Sequence, residues 1–336
     1  MEYTHLAAEL LAQETFPGFG VRSGHHDAWQ VRDRANWLVA ATQGEIVVGR
    51  IDEDPSRVFA WQRRWPSPQP WRRHGFASPL PDGGLAVSGS GIVTVYEADG
   101  RLRWAYEHKP WFDEGIASGA CVADPSGLRL LVTTVGPTKE DGSYPGDLCV
   151  ALDLATGRRV AGTVLPSASA GYSFQQSLTD PAQLFLNAAM GDTFYSLQVT
   201  LEDDALRTQP VGLEEEPFAG LSMNGAFLKL DVGGEWLSRY ETGQPDVSVD
   251  AEDVLPEDLR FVGYHPGFLC ADRVVVAISE EQDSDDNRHL ILDGHTLQPV
   301  AEVDYPGAAN CDDPLALGDG TWLTTDGDTV QRWRTV

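Results

Sequence analysis

Histidine is scarce in this chain, with eight in 336 residues, so the positions of the few present matter. His25 and His26, followed by Asp27, precede one strand-like run; His74 and His265 precede two others. Imidazoles that converge at one end of several strands can hold a metal or act as general bases. Polar side chains at strand starts also hydrogen-bond their neighbours or line a wet channel. Nothing fixes the spacing of these four as a zinc motif would, so the second reading is preferred and no metal is expected.

The densest local chemistry lies at Trp61-Gln-Arg63-Arg64-Trp65-Pro-Ser-Pro-Gln-Pro-Trp71-Arg72-Arg73-His74, with four Arg and three Trp in fourteen residues. Its three prolines make it extended and stiff. Arginine beside aromatics is the composition of interaction hot spots and anion sites. The alternative is that Trp61 and Trp65 pack in a strand while the arginines pair with surface acids. A second aromatic stretch, His108-Lys-Pro-Trp111-Phe112-Asp113-Glu114, has similar character. From these two stretches, Trp65, Trp71, Arg72, Arg73, Trp111 and Phe112 are the candidate binding residues.

Other matches fail on physical grounds. Gly18-Phe-Gly20-Val-Arg-Ser23-Gly24 is close to a dinucleotide loop, but such a loop needs a strand before it and a helix after it. Here helix-like residues precede and strand-like residues follow. Asp283-Ser-Asp285-Asp286-Asn287 places oxygens as a calcium loop does, yet the positions needing Gly and Glu hold Arg288 and Gly294. No G-x-S-x-G elbow, H-E-x-x-H pair or Walker loop occurs. The four cysteines (Cys121, Cys149, Cys270, Cys311) contain no C-x-x-C pair. Cys121, Cys149 and Cys270 lie in apolar runs and are expected to be small buried hydrophobes.

The elements that must position these residues are short. Leu6/Leu10 and Ala7/Leu11 recur at i, i+4 behind Thr4, which predicts one helix over 5–14. Almost everything after it reads as alternating strands separated by Gly, Asp, Asn and Pro. Turn signals recur at Pro81-Asp82-Gly83, Asp124-Pro125-Ser126-Gly127, Asp180-Pro181, Asn224-Gly225, Asp272-Arg273 and Asp319-Gly320. Their spacing is roughly 45 residues, a blade-length period. Strand–hairpin–strand segments recur at 92–108, 148–166 and 289–306, with a V-x-x-x-D-x-x-T/D-G-x-x-x-W/V pattern.

That pattern resembles the third strand, hairpin and fourth strand of divergent bacterial WD40-like and PQQ-like β-propeller repeats, from about residue 22 onward. The strict Gly-His and Trp-Asp signatures of regular WD40 repeats are missing. The resemblance implies an all-β, single-domain, seven-bladed propeller over 1–336, with blades at 22–65, 72–108, 115–166, 171–212, 217–255, 261–305 and 312–336. The last blade has only three strands. An open edge invites aggregation, so Thr15 to Val21 is expected to supply its outer strand after the short N-terminal helix. The alternative is six blades, with the acidic stretch 200–260 as an irregular insertion.

Acidic residues outnumber basic ones 51 to 24, for a net charge of −27. Such a surface repels phosphate backbones, so nucleic acid is not an expected partner. No apolar run of about 18 residues exists to span a membrane, and Met1-Glu-Tyr-Thr-His is not a signal peptide. A cytoplasmic, reduced, monomeric protein without cofactor is expected. Its expected role is non-catalytic binding or scaffolding, engaging a protein (a basic one fits the charge) or a small ligand on one face of the ring. The alternative is an enzyme using the central funnel, such as a metal-assisted hydrolase or lyase. The PQQ-dependent dehydrogenase suggested by the repeat style is discounted, because those enzymes are longer, exported and calcium-dependent.

Overall fold

The computed structural model describes residues 3–336 apart from 17–26, 31–35, 43–44, 67–76, 112–118, 125, 169–170, 177–183, 191–192, 203–204, 212–216, 223, 232, 242, 281–286 and 308–312. The described chain is almost entirely β. Strand β1 (Thr4–Thr15) comes first. One four-stranded sheet is β2 (Asp27–Gln30), β3 (Asn36–Thr42), β4 (Glu45–Ile51) and β5 (Phe59–Pro66). The next is β6 (Ala77–Pro79), β7 (Leu85–Ser88), β8 (Ile92–Tyr96) and β9 (Leu102–Glu107). A third is β10 (Cys121–Ala123), β11 (Arg129–Thr134), β12 (Leu148–Asp153) and β13 (Arg159–Val164).

Then come β14 (Gly171–Gln176), β15 (Leu184–Met190), β16 (Thr193–Glu202) and β17 (Ala205–Pro210), followed by β18 (Phe218–Leu221), β19 (Phe227–Leu230), β20 (Trp236–Tyr240) and β21 (Val247–Asp250). One helical turn, α1 (Ala251–Val254), precedes β22 (Arg260–Cys270), β23 (Arg273–Ser279), β24 (Arg288–Asp293), β25 (Pro299–Asp304), β26 (Leu315–Ala316), β27 (Trp322–Asp326) and β28 (Thr329–Thr335). These last seven strands share an eight-stranded sheet with β1, in the order β22-β23-β24-β25-β1-β28-β27-β26. Residues 218–250, expected on the six-bladed alternative to be irregular, thus form a regular four-stranded sheet.

The burial patterns explain the apolar runs. Second and third strands are covered on both faces: β7, β11, β12 and β23 bury nearly every residue. Fourth strands such as β9 and β13 alternate between exposed and half-buried, as outer strands with one covered face do. The turn signals fall between first and second strands, where Gly83, Gly127, Gly225 and Gly320 all have positive φ. Between β12 and β13, the Asp153 carboxylate accepts from the Thr156 amide and hydroxyl, and Gly157 has φ +72°. Asp293 and Thr296 repeat the bonds, but there the left-handed position is Leu297, φ +57° and fully buried.

The chain divides into two compact units. One comprises Met1–Arg22, Arg50–Trp61 and Glu216–Val336; the other comprises Ser23–Gly49 and Gln62–Glu215. In the first unit, the sheets β18–β21 and β22–β25 share an apolar core of Leu228, Leu230, Val274, Val276, Leu290 and their neighbours. In the second, β6–β13 enclose a core around Val93, Leu130 and Val150, and β10–β17 one around Leu131, Cys149 and Leu186.

The predicted N-terminal helix is a strand instead. Thr4–Ala7 pair in parallel with Ala301–Asp304 of β25, and Ala8–Thr15 pair antiparallel with β28. A helix of about ten residues is marginal alone, whereas two open strand edges offer backbone bonds on both sides. The outer strand is therefore supplied from the N-terminus, but by residues 4–15; Phe16 closes it, donating its amide to the Asp328 carbonyl at 2.7 Å, and 17–21 lie outside the described residues. Cys121 and Cys149 are buried, with burial pushing both thiols up to about 12. Cys270 is exposed: it ends β22, beyond the covered part of the strand.

Candidate functional site

In the second unit, the hairpin joining β7 to β8 is stitched to the segment leaving β9. Gly89 donates its amide to Ile92 O at 2.8 Å, His108 to Gly91 O at 2.9 Å and Trp111 to Ser90 O at 2.9 Å. Backbone bonds thus hold Ser88, Ser90, His108 and Trp111 in one place, although they come from a strand end, a turn and a linker.

Trp111 is 3% exposed and Ser88 1%. A Cβ on Gly119 would meet the Ser88 Oγ at 2.5 Å and the Trp111 Nε1 at 3.3 Å, so hydroxyl and indole N–H share the space that this glycine leaves free. The Trp111 ring lies 5.8 Å from Tyr172 and 6.3 Å, edge-on, from His108.

Behind Tyr172 stands a fully used carboxylate. Asp147 is inaccessible to solvent. Its Oδ2 accepts from the Tyr172 hydroxyl at 2.6 Å and its Oδ1 from the Tyr144 hydroxyl. Tyr144 also accepts from the Gly136 amide at 2.8 Å, and Ser167 Oγ lies 2.7 Å from the Tyr172 oxygen. Burial and the adjacent carboxylate push both phenols well above the ordinary tyrosine range. Asp147 therefore orients Tyr172, which in turn supports the Trp111 ring.

The front of the cluster is different. Ser88 Oγ, Ser90 Oγ, His108 Nε2 and Trp111 Nε1 are all shielded from solvent and have no hydrogen-bond partner among the described residues. An unmade bond at a buried polar atom costs about 1–3 kcal/mol, so four together call for an explanation. His108 Nδ1 sits 2.7 Å from the Lys109 carbonyl. A carbonyl only accepts, so Nδ1 carries the hydrogen and Nε2 presents a lone pair. Burial holds the His108 pKa below its ordinary value, which favours that neutral form. The site thus offers an indole donor, two hydroxyls and an imidazole acceptor, none of them charged.

Of the residues expected from sequence, Trp65 and Trp111 are buried, at 2% and 3% exposure, and present no ring surface to a partner. Trp65 packs in β5 and donates to the Glu97 carbonyl at 3.1 Å, while Arg64 pairs with Glu45 at 2.9 Å. That matches the packing alternative for this half of the Trp/Arg stretch. Trp71, Arg72, Arg73, Phe112, His25, His26 and His74 lie outside the described residues, as does most of the 283–287 loop. The backbone of His265 lies within β22, where the register with β23 breaks between Val262 and Gly267. Among the described residues, no three His, Cys, Asp or Glu side chains gather as a metal site, and no helix is long and apolar enough to cross a membrane.

Sequence reading singled out Trp111 but missed Ser88, Ser90, Tyr172 and Asp147, and took His108 only as part of an aromatic stretch. Serines and a lone aspartate carry no signal until the strands bring them together.

No family model matches this sequence, and no curated protein does. Solved structures do resemble its fold. Virginiamycin B lyase from Staphylococcus aureus aligns over 98% of this chain and 100% of its own, with 12% identity and a TM-score of 0.60. The Cps50 (Swd1) β-propeller domain of Myceliophteria thermophila aligns over 96% of this chain and 100% of its own, with 10% identity and a TM-score of 0.56. A chain of the mitotic checkpoint complex aligns over 96% of this chain and 94% of its own, with 9% identity and a TM-score of 0.58. At such identities the likeness defines the fold alone, a β-propeller. The neighbours include both a lyase and a component of a protein assembly, so the fold does not choose between catalysis and binding.

Proposed function

We propose that this chain is a seven-bladed propeller that binds a partner without transforming it, through the linker side of its second unit. The blade count is supported by the five four-stranded sheets and by the eight-stranded sheet, which reads as two four-stranded halves joined where β1 meets β25. The single observation behind the binding role is the cluster of neutral polar atoms at Ser88, Ser90, His108 and Trp111 that have no hydrogen-bond partner among the described residues. A Ser–His nucleophile needs its hydroxyl within hydrogen-bond reach of the imidazole, and the His108 Nε2 has no such partner among the described residues. The net charge of −27 favours a protein partner with a basic surface and disfavours nucleic acid. Trp71, Arg72, Arg73 and Phe112, in the sequence between β5 and β6 and between β9 and β10, are the proposed contacts.

The test is recovery of partners from the source cell on immobilised protein, parent against the combined variant Trp71→Ala, Arg72→Ala, Arg73→Ala, Phe112→Ala. About tenfold weaker recovery of a specific partner is expected, as for loss of hot-spot side chains. Unchanged recovery would remove the face assignment, and turnover of a substrate by the purified protein would remove the binding role.

A further inference from the structure

From the course of β1 we infer that the outer edge of β25 is a docking site for an extended, basic segment of a partner protein, a site that residues 3–7 of the chain itself occupy. It lies in the first unit and stands independently of the linker side proposed above.

β1 changes partner midway. Ala8–Thr15 complete a set of four strands with β26, β27 and β28, and Glu14 and Phe16 fasten them there. Thr4–Ala7 add a fifth strand to β22–β25, pairing in parallel with Ala301–Asp304. In each of the five four-stranded sheets the fourth strand has one hydrogen-bonded neighbour; β25 has two. The added strand is lightly held. Parallel pairing is slightly less stable per residue than antiparallel pairing, and Thr4, His5 and Ala7 are exposed. Buried Ala8 marks where the secure part begins. The arm can therefore leave at Ala7 with the pairs between Ala8–Thr15 and β28 intact.

The arm shows what the edge selects. A strand added to a sheet edge gains affinity from main-chain hydrogen bonds and specificity from alternate side chains. Tyr3 and His5 are alternate residues on one face. The Tyr3 ring packs against the core around Leu228 and Val274, and its hydroxyl donates to the Val254 carbonyl at 2.8 Å. That is an aromatic seat with a polar end. His5 lies opposite Glu302, and its Nδ1 is 3.0 Å from Asp304 Oδ1. Arg288 pairs with Glu302 at 2.6 Å, so Asp304 is the carboxylate that meets the incoming side chain. His5 and Asp304 are both more than half exposed, which leaves room for a longer residue. The segment that fits is Tyr-x-Lys or Tyr-x-Arg in extended form. Lysine or arginine brings a permanent charge to Asp304, and the net charge of −27 draws a basic segment in.

The probe is a fluorescein-labelled peptide of residues 2–8, with its His5→Lys and Tyr3→Ala forms, followed by anisotropy. The receptors are the parent chain and the full chain carrying Tyr3→Ala, whose arm has lost its anchor. The peptide should bind the Tyr3→Ala chain saturably, and the parent chain about tenfold more weakly because its own arm competes. The His5→Lys peptide should bind up to about fivefold more tightly at low salt and lose that gain at high salt. The Tyr3→Ala peptide should bind about tenfold more weakly. No saturable binding, or equal binding of the Tyr3→Ala peptide, would overturn the site. Equal affinity of the His5→Lys peptide would remove the basic partner and leave the arm of a second copy as the occupant. If the Tyr3→Ala chain does not fold, hydrogen exchange on the parent chain decides. The amides of residues 4–7 should exchange at least about tenfold faster than those of residues 9–15. Equal protection would make the arm a fixed strand and overturn the proposal.

Discussion

Two buried polar clusters, one in each unit, are built on opposite terms. In the first unit the Arg332 side chain is wholly enclosed and wholly used. Its Nε donates to Thr321 Oγ1 at 3.0 Å, its Nη1 to the Asp52 and Arg57 carbonyls at 2.6 and 3.0 Å, and its Nη2 to Asp319 at 2.5 Å. The same hairpin is bound by Glu14 of β1, whose Oε1 accepts from the Val58 and Phe59 amides, and by Phe16 stacked on Phe59 at 4.9 Å. In the second unit, Ser88 Oγ, Ser90 Oγ, His108 Nε2 and Trp111 Nε1 have no hydrogen-bond partner among the described residues. A buried charge whose donors go unmatched costs more than a neutral group in the same position. Neutral groups tolerate an unmade bond at lower cost, and such a cost is commonly retained where a ligand can recover it. Arg332 thus ties the last sheet to the segment between β4 and β5, whereas no described residue meets the polar atoms of the Ser88–Trp111 cluster.

The comparison can be broken at its strong end first. Deleting residues 1–16 removes β1, its pairing with β28 and the Glu14 and Phe16 contacts. The protein should then lose its cooperative thermal transition and aggregate on size-exclusion chromatography, as an exposed strand edge does; a sharp melt would mean that β1 is dispensable. Arg332→Met leaves the Asp52, Asp54 and Arg57 carbonyls and the Asp319 carboxylate without their donor, and should cost about 3–5 kcal/mol in denaturant unfolding.

Smaller effects test the other cluster. His108 has a pKa below its ordinary 6.5 because burial disfavours its charged form. The unfolded chain therefore binds this proton more readily than the folded one. The stabilising contribution is complete above pH 6.5 and is lost as pH falls from there through the folded value. His108→Phe should flatten that part of a plot of denaturation midpoint against pH; an identical slope would place the imidazole in solvent. Ser88→Ala should change stability by less than about 0.5 kcal/mol, or raise it, because the hydroxyl removed has no partner among the described residues to lose. A cost near that of a satisfied hydroxyl would mean that the two clusters do not differ.

Much of the fold was legible in local chemistry. Gly83, Gly127, Gly225 and Gly320 announced first-to-second-strand turns because left-handed backbone favours glycine. The doubly buried strands announced themselves as unbroken apolar runs. The N-terminal element misled because Leu6 and Leu10 satisfy a helical spacing, and the bonds that override it come from β25 and β28, some 300 residues away. Trp65 stood out for the right composition and the wrong reason, since its indole serves the Glu97 carbonyl inside the core. The site was less legible still. Trp111 drew notice as an aromatic in a linker, but its serine neighbours carried no mark.

By itself, then, the sequence determined the β character, the period of roughly 45 residues, the turn positions and the need for an outer strand donated to the last sheet. All of these follow from backbone preferences and hydrophobic patterning within a few residues. Only the tertiary structure decided that residues 4–15 supply that strand, and that Arg332 is saturated while Trp111 Nε1, His108 Nε2 and two serine hydroxyls meet no partner among the described residues. Hydrogen-bond satisfaction belongs to atoms brought together from distant parts of the chain, and a linear pattern does not encode it.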